Sequence, residues 1–157
     1  MNFKIKPFLI AVGIPLAVGG LSALLSRRGT EMYETIAKPP LSPPGWLFPV
    51  VWTILFILMG IASYLVYNSG EDEVKVRNAL TVYGVQLAVN FFWSLIFFNM
   101  QNYLFAFIWL ILLWVLIVAT IILFFRISEV AGYLLVPYLL WVSFAGYLSY
   151  SVYILNR

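Results

Sequence analysis

The chain has 157 residues, of which 64% are hydrophobic and 10% charged, and its mean hydropathy is +0.99. Soluble domains carry roughly 25% charge, so the composition excludes an ordinary soluble fold and points to lipid as the solvent. The net charge of +3 sits at ends and loops, where it suits lipid headgroups better than a nucleic-acid groove. With no cysteine and no histidine, the chain has no disulfide framework, thiol nucleophile, thiolate metal site or imidazole acid–base group.

Lys4 and Lys6 precede an apolar run over residues 8–25. A cleaved signal peptide has a core of about 7–15 residues and a membrane helix needs about 20, so this run reads as a retained first helix. Within it, Gly13 with Ala17 and Gly19 with Ala23 offer faces for close backbone approach, and Pro15 predicts a kink. Residues 26–45 form the first loop. Pro39, Pro40, Pro43, Pro44 and Gly45 cannot be helical; they make a stiff lid that delivers Trp46 and Trp52 onto the second helix, residues 46–67. Residues 68–78, with Glu71, Asp72, Glu73, Lys75 and Arg77, read as a solvated turn. A third helix over 79–98, a polar connection at 99–102, a fourth helix over 103–125 and a fifth over 131–155 complete the chain. The expectation is one all-α integral membrane domain, residues 1–157, a bundle of five transmembrane helices with termini on opposite faces. Basic residues divide between the two faces, so the charge bias does not orient it.

No Asp, Glu, Lys or Arg falls within an expected span, which counts against a proton-coupled pump. The polar groups inside are neutral: Gln86, Asn90, Ser143 and Ser149. Gln86 and Asn90, four apart, share a helix face that Trp93 and Phe97 continue. Interhelical hydrogen bonding is one reading of the two amides. Depth favours another. At about 1.5 Å per residue, Trp52, Asn90 and Ala145 lie in one layer beneath the first loop. Phe105, Trp109 and residues 20–23 fall in the same half. That layer has the make-up of an apolar pocket with a few orienting polar groups. Tyr64, Tyr67, Tyr83 and Tyr133 near one interface, and Trp46, Tyr103, Tyr150 and Tyr153 near the other, fit aromatic belts; Trp109 and Trp114 are expected to face lipid. Gly84 with Ala88 is the expected dimer seam, on a face close to that of Asn90.

Three motifs carry a resemblance. They are Pro39-Pro40-x-x-Pro43-Pro44-x-Trp46-x-Phe48-x-x-x-Trp52, then Gln86-Leu87-Ala88-x-Asn90-Phe91-x-Trp93, then Pro137-Tyr138-x-x-Trp141-x-x-Phe144-Ala145. On these the chain resembles the TspO/MBR family, the tryptophan-rich sensory proteins and translocator proteins (peripheral benzodiazepine receptors), over all five helices. The resemblance implies a five-helix homodimer that binds porphyrins such as protoporphyrin IX, with sterols and benzodiazepine-type ligands in some members. It places Trp52, Asn90, Trp93, Trp141 and Ala145 around the ligand, with the loop through Tyr33 and Pro44 as lid. Two departures stand out. Many bacterial members have Trp-Tyr where this chain has Met32-Tyr33, and that tryptophan is implicated in light-driven porphyrin degradation. Many have Leu-Asn where this chain has Leu148-Ser149, so a pocket amide becomes a hydroxyl. Leu148-x4-Tyr153-x3-Arg157 fits the loose cholesterol-recognition pattern, a low-specificity signal for sterol.

The residue types suggest the mechanism. Indoles meet a porphyrin face-on or edge-on, Asn90 bonds a polar substituent, and Arg27, Arg28 or Lys38 meets the carboxylates. Without histidine or cysteine for axial ligation, metal-free porphyrin is favoured over haem. No cofactor or metal is required. The expected function is a porphyrin-binding membrane receptor or sensor in a bacterial cell membrane. A porphyrin or lipophile transporter is an alternative, as is a light-dependent porphyrin-degrading enzyme using Trp52 and Trp141.

Overall fold

The computed structural model describes residues 2–29, 35–40 and 42–157. The chain forms α1 (Ile5–Leu25), α2 (Leu47–Tyr67), α3 (Glu73–Ser94), α4 (Tyr103–Ile127), α5 (Glu129–Leu134) and α6 (Val136–Asn156), with a π-helical turn (Leu95–Asn99) extending α3. Taking α3 with its π turn, and α5 with α6, five helical segments of 21 to 28 residues are long and apolar enough to cross a membrane. Around the bundle the order is α1, α2, the α5–α6 segment, α4 and α3, which returns to α1.

Beyond shifts of one to three residues at other helix ends, three features differ from the expected ones. Helix α3 begins at Glu73, not at 79. Its charged first turns stand beyond the apolar core, and Glu73 in the first turn favours the positive helix end, so charge here does not mean loop. The fifth segment breaks at Leu135, because Pro137, in the first turn of α6, has no N–H to continue α5. Met100 N–H bonds the Leu95 carbonyl, five residues back, at 3.0 Å. This wider turn leaves Ile96, Phe97 and Phe98 all buried.

Helices α1 and α2 are the tightest pair where α1 carries its proline. Pro15 cannot bond the carbonyl of Ala11, and α2 meets that turn through Gly60. A Cβ on Gly60 would lie 2.5 Å from Val12 Cα and 2.8 Å from the Ala11 oxygen, so no larger residue fits. Of the small residues expected to pack α1, Gly19 lies against the Phe56 ring, whereas Gly13 has open space around it among the described residues.

Polar side chains tie the ends. Asn99 Nδ2 donates to the Leu25 carbonyl at 2.6 Å, closing the C-terminus of α1 onto the π turn. At the same face, Asn156 Nδ2 donates to the Ala37 carbonyl at 2.7 Å, and Ala37 N–H donates to Asn156 Oδ1 at 3.1 Å. The end of α6 thus holds the first loop by two hydrogen bonds.

Candidate functional site

The stripe expected on α3 points inward: Gln86, Asn90, Trp93 and Phe97 are all buried. From α6, Pro137 in the first turn precedes Tyr138, whose side chain is 1% exposed. The Tyr138 hydroxyl accepts from Asn90 Nδ2 at 2.6 Å and donates to Gln86 Oε1 at 2.7 Å. The two amides therefore do join helices, through a tyrosine that the sequence reading did not single out. Its signal was available: a buried phenol needs partners, and Gln86 and Asn90 are spaced to flank one.

A cavity of about 540 Å³ opens beside this network, between α1, α2 and α3 and under the end of the first loop. From α1 it takes Gly19, Gly20, Ser22 and Ala23, residues with little side chain, which leave the space. From α2 it takes Phe48, Trp52 and Phe56, and from α3 Asn90 and Ser94, with Phe98 from the π turn. Gly45 and Trp46 form the loop edge, and Arg27, exposed, stands at the mouth. Trp52 and Phe56 stack at 5.5 Å and 27°, giving a flat apolar wall. The Ser22 hydroxyl donates to the Phe91 carbonyl at 3.4 Å and Thr53 to the Pro49 carbonyl at 2.6 Å, so both serve the backbone.

Trp52 divides this cavity from an aromatic cluster behind it. Its ring centroid lies 6.4 Å from Trp93, 6.0 Å from Tyr138 and 6.5 Å from Trp141. Trp93 stacks on Phe97 at 5.2 Å, and Trp141 meets Phe48 edge-on at 6.0 Å. Trp93 Nε1 and Trp141 Nε1 are buried without a hydrogen-bond partner among the described residues. Ring contacts such as these join α2 to α6, since the backbone of α2 meets the fifth segment chiefly at α5.

The residues singled out by sequence therefore divide. Trp52 and Asn90 line the cavity, and Trp93 and Trp141 back it. Pro44, exposed, adjoins the lining residue Gly45. Ala145 and Ser149 are buried on α6 but are not in the cavity wall, and the Ser149 hydroxyl has no partner among the described residues. Phe105 does not reach the cavity. It lies 40% exposed on α4, edge-on to Trp109 at 6.0 Å. Tyr33 and Met32 lie outside the described residues. Trp109, expected to face lipid, donates instead to the Val89 carbonyl at 2.8 Å and fastens α4 to α3; Trp114, 41% exposed, donates to Ser143 at 3.0 Å. Gly84 and Ala88 are exposed on α3 while Asn90 is 3% exposed, so the expected seam is not on a face close to that of Asn90. The sequence reading missed Phe48, Phe56 and Phe98 as cavity walls; two lie on the apolar second helix, where nothing in the pattern separates a wall from lipid-facing positions.

Fold and site together define a five-helix integral membrane protein with an aromatic-walled cavity opening near one face. The chain belongs to the TspO/MBR family, whose model matches residues 11–155. It is 43% identical over 157 residues to the tryptophan-rich protein TspO of Chlorobaculum tepidum, covering 99% of each chain. It is 36% identical over 150 residues to the tryptophan-rich sensory protein of Cereibacter sphaeroides, covering 95% of this chain and 89% of that one. It is 34% identical over 152 residues to the translocator protein of Bos taurus, covering 94% and 90%.

Proposed function

We propose that this membrane protein is a receptor for flat aromatic lipophiles, with a metal-free porphyrin of the protoporphyrin IX type as ligand. The observation that carries the reading is the cavity of about 540 Å³ with its stacked Trp52–Phe56 wall, inner amide and the Arg27 cation at the mouth. Its size and apolar lining suit a ligand site, typically 300–1,000 Å³. A porphyrin is a disc with carboxylates at one edge. The wall takes the disc, Arg27 takes the carboxylates, and Asn90 meets the far edge. Trp93 and Trp141 hold Trp52 in place, the Pro44 turn closes the loop edge, and a ligand that displaces Trp52 reaches the cluster behind it. Ala145 and Ser149 are contacted only in that displaced state, and Phe105 has no part. The protein works as a homodimer through the outward face of α3, where Gly84 has open space for a neighbour.

A light-driven reaction of the bound dye is the second reading. The Trp52–Trp141 contact favours it, because it places two indoles in series beside a light-absorbing ligand.

The test is a dark titration of the reconstituted protein with protoporphyrin IX, following tryptophan quenching and the porphyrin absorbance band, with Trp52→Leu and Asn90→Ala alongside. Saturable binding that both substitutions weaken supports the receptor. Non-saturating binding, unchanged in both variants, overturns it. Illumination of the same samples then separates the second reading, which requires a new product only in light.

A further inference from the structure

On the face that carries the start of α1, the ends of α3 and α4 meet around a notch of about 220 Å³, lined by Lys75, Asn78, Leu123, Arg126 and Ile127. Helical spacing builds it from both sides. Lys75 and Asn78, three apart, share one face of the first two turns of α3. Leu123, Arg126 and Ile127, at i, i+3 and i+4, share one face of the last two turns of α4. Two exposed cations from two helices thus stand beside the half-buried apolar side chains of Leu123 and Ile127. Four carboxylates lie on the same face of the bundle, at Glu71, Asp72, Glu73 and Glu129. Even so, neither Lys75 nor Arg126 has an ion-pair or side-chain hydrogen-bond partner among the described residues. The depth is that of lipid headgroups. Helix α4 has 25 residues and is about 37 Å long. The hydrocarbon core is about 30 Å thick, so Arg126 in the last turn stands at its boundary. Tyr67 and Tyr133, 58% and 62% exposed at the ends of α2 and α5 on this face, mark the same level.

We infer that this notch binds the phosphate of an anionic phospholipid, whose acyl chains run from Leu123 and Ile127 down the outside of the α3–α4 pair. The planar fork of Arg126 grips two phosphate oxygens, and the Lys75 ammonium adds a point charge. Asn78 bonds a glycerol ester or a headgroup hydroxyl. Two cations around one phosphate discriminate by net charge. Phosphatidylcholine carries its own ammonium beside the phosphate, which both cations repel, whereas phosphatidylglycerol carries none. A free phosphate ion has no chain to lay on the apolar side chains and forfeits that contact. Bound there, the lipid ties the start of α3 to the end of α4. The notch is separate from the aromatic-walled cavity, which opens at the opposite face, so the inference stands whether or not the cavity takes a porphyrin.

The test counts lipids bound to the full chain. Phosphatidylglycerol and phosphatidylcholine with matched acyl chains are titrated into the protein in dodecylmaltoside micelles, and the complexes are resolved by native mass spectrometry. A basic residue near a membrane surface favours an anionic lipid about fivefold. With two cations, the first phosphatidylglycerol binds about 25-fold more tightly than the first phosphatidylcholine. Lys75→Gln and Arg126→Gln each reduce that ratio to about fivefold, and the double variant brings it to about one. Arg77→Gln removes the same charge from α3 outside the notch and leaves the ratio within about twofold of the wild type. All three side chains are exposed, so the variants keep the helix content and melting temperature of the wild type in the absence of added lipid. Equal losses in the three single variants would mean diffuse surface charge and would overturn the inference. A wild-type ratio near one would overturn it without any variant. Glycerol 3-phosphate, a headgroup without chains, is added as a competitor at the concentration of the lipid and displaces none of it. Displacement as effective as that by unlabelled phosphatidylglycerol would make the notch a site for a soluble anion and overturn the lipid assignment.

Discussion

The indole of Trp52 meets that of Trp141 edge to face, with centroids 6.5 Å apart and planes at 89°. One indole lines the cavity and the other does not, so under the proposed receptor function Trp141 acts on a ligand through the ring it supports. An edge-to-face pair contributes about 0.5–1.5 kcal/mol beyond its buried area. Trp141 Nε1 has no partner among the described residues, and an enclosed unmade hydrogen bond costs about 1–3 kcal/mol. Trp141→Phe therefore weakens porphyrin binding about two- to tenfold while leaving the melting temperature unchanged or higher. Quenching titration and thermal denaturation on the same sample check both halves. A lower melting temperature would mean that the indole nitrogen is satisfied after all.

Arg27 is exposed at the cavity mouth and has no acidic partner in the wall among the described residues. Arg27→Gln lowers affinity for a dicarboxylate porphyrin and leaves that for its dimethyl ester nearly unchanged. The wild-type preference for the diacid falls as salt rises, because exposed charges are screened. Competition between diacid and diester at two ionic strengths reads this directly.

Two glycines give opposite outcomes. Gly60→Ala places a methyl against the backbone of Val12 and Ala11 and costs about 1–3 kcal/mol by overpacking, seen as a lower melting temperature. Gly84→Ala meets nothing within 4 Å among the described residues and leaves the monomer as stable or more so. Any loss at Gly84 appears only in self-association, measured by disulfide trapping of Gly84→Cys.

Loss of the Asn156–Ala37 pair releases the first loop. Asn156→Leu raises both the association and dissociation rates of the ligand in stopped-flow quenching and increases proteolysis within residues 35–45, with little change in helix content. Asn156→Asp keeps an acceptor for the Ala37 N–H but loses the donor, and falls between the two.

The helices were legible because uninterrupted apolar runs of membrane-spanning length have few other solutions. Their ends were less so. Glu73, Lys75 and Arg77 look like loop residues by composition, yet they occupy helical turns that extend past the apolar core. The break at Leu135 was readable from Pro137, since the missing N–H is a local fact. The π turn at residues 95–99 leaves no comparable mark. In the site, the inward stripe from Gln86 to Phe97 follows from helical period alone, and the same arithmetic separates Gly84 from Asn90. What period cannot give is the neighbour across the gap. That Tyr138 bridges Gln86 and Asn90, that Trp109 turns to the Val89 carbonyl, and that Phe105 lies outside the cavity all depend on how the helices pack.

The hold of Asn156 on Ala37 also orders events in time. Of the five spanning segments only α1 stands before the first loop in chain order, and the fastening residue of that loop lies at the end of the fifth. Before that residue is in place, α1, α2 and α3 can enclose the cavity while its roof is still unfastened. Under the proposed receptor function a ligand therefore loads more easily before that contact forms than after it, and the last turn of α6 acts as the closing stitch.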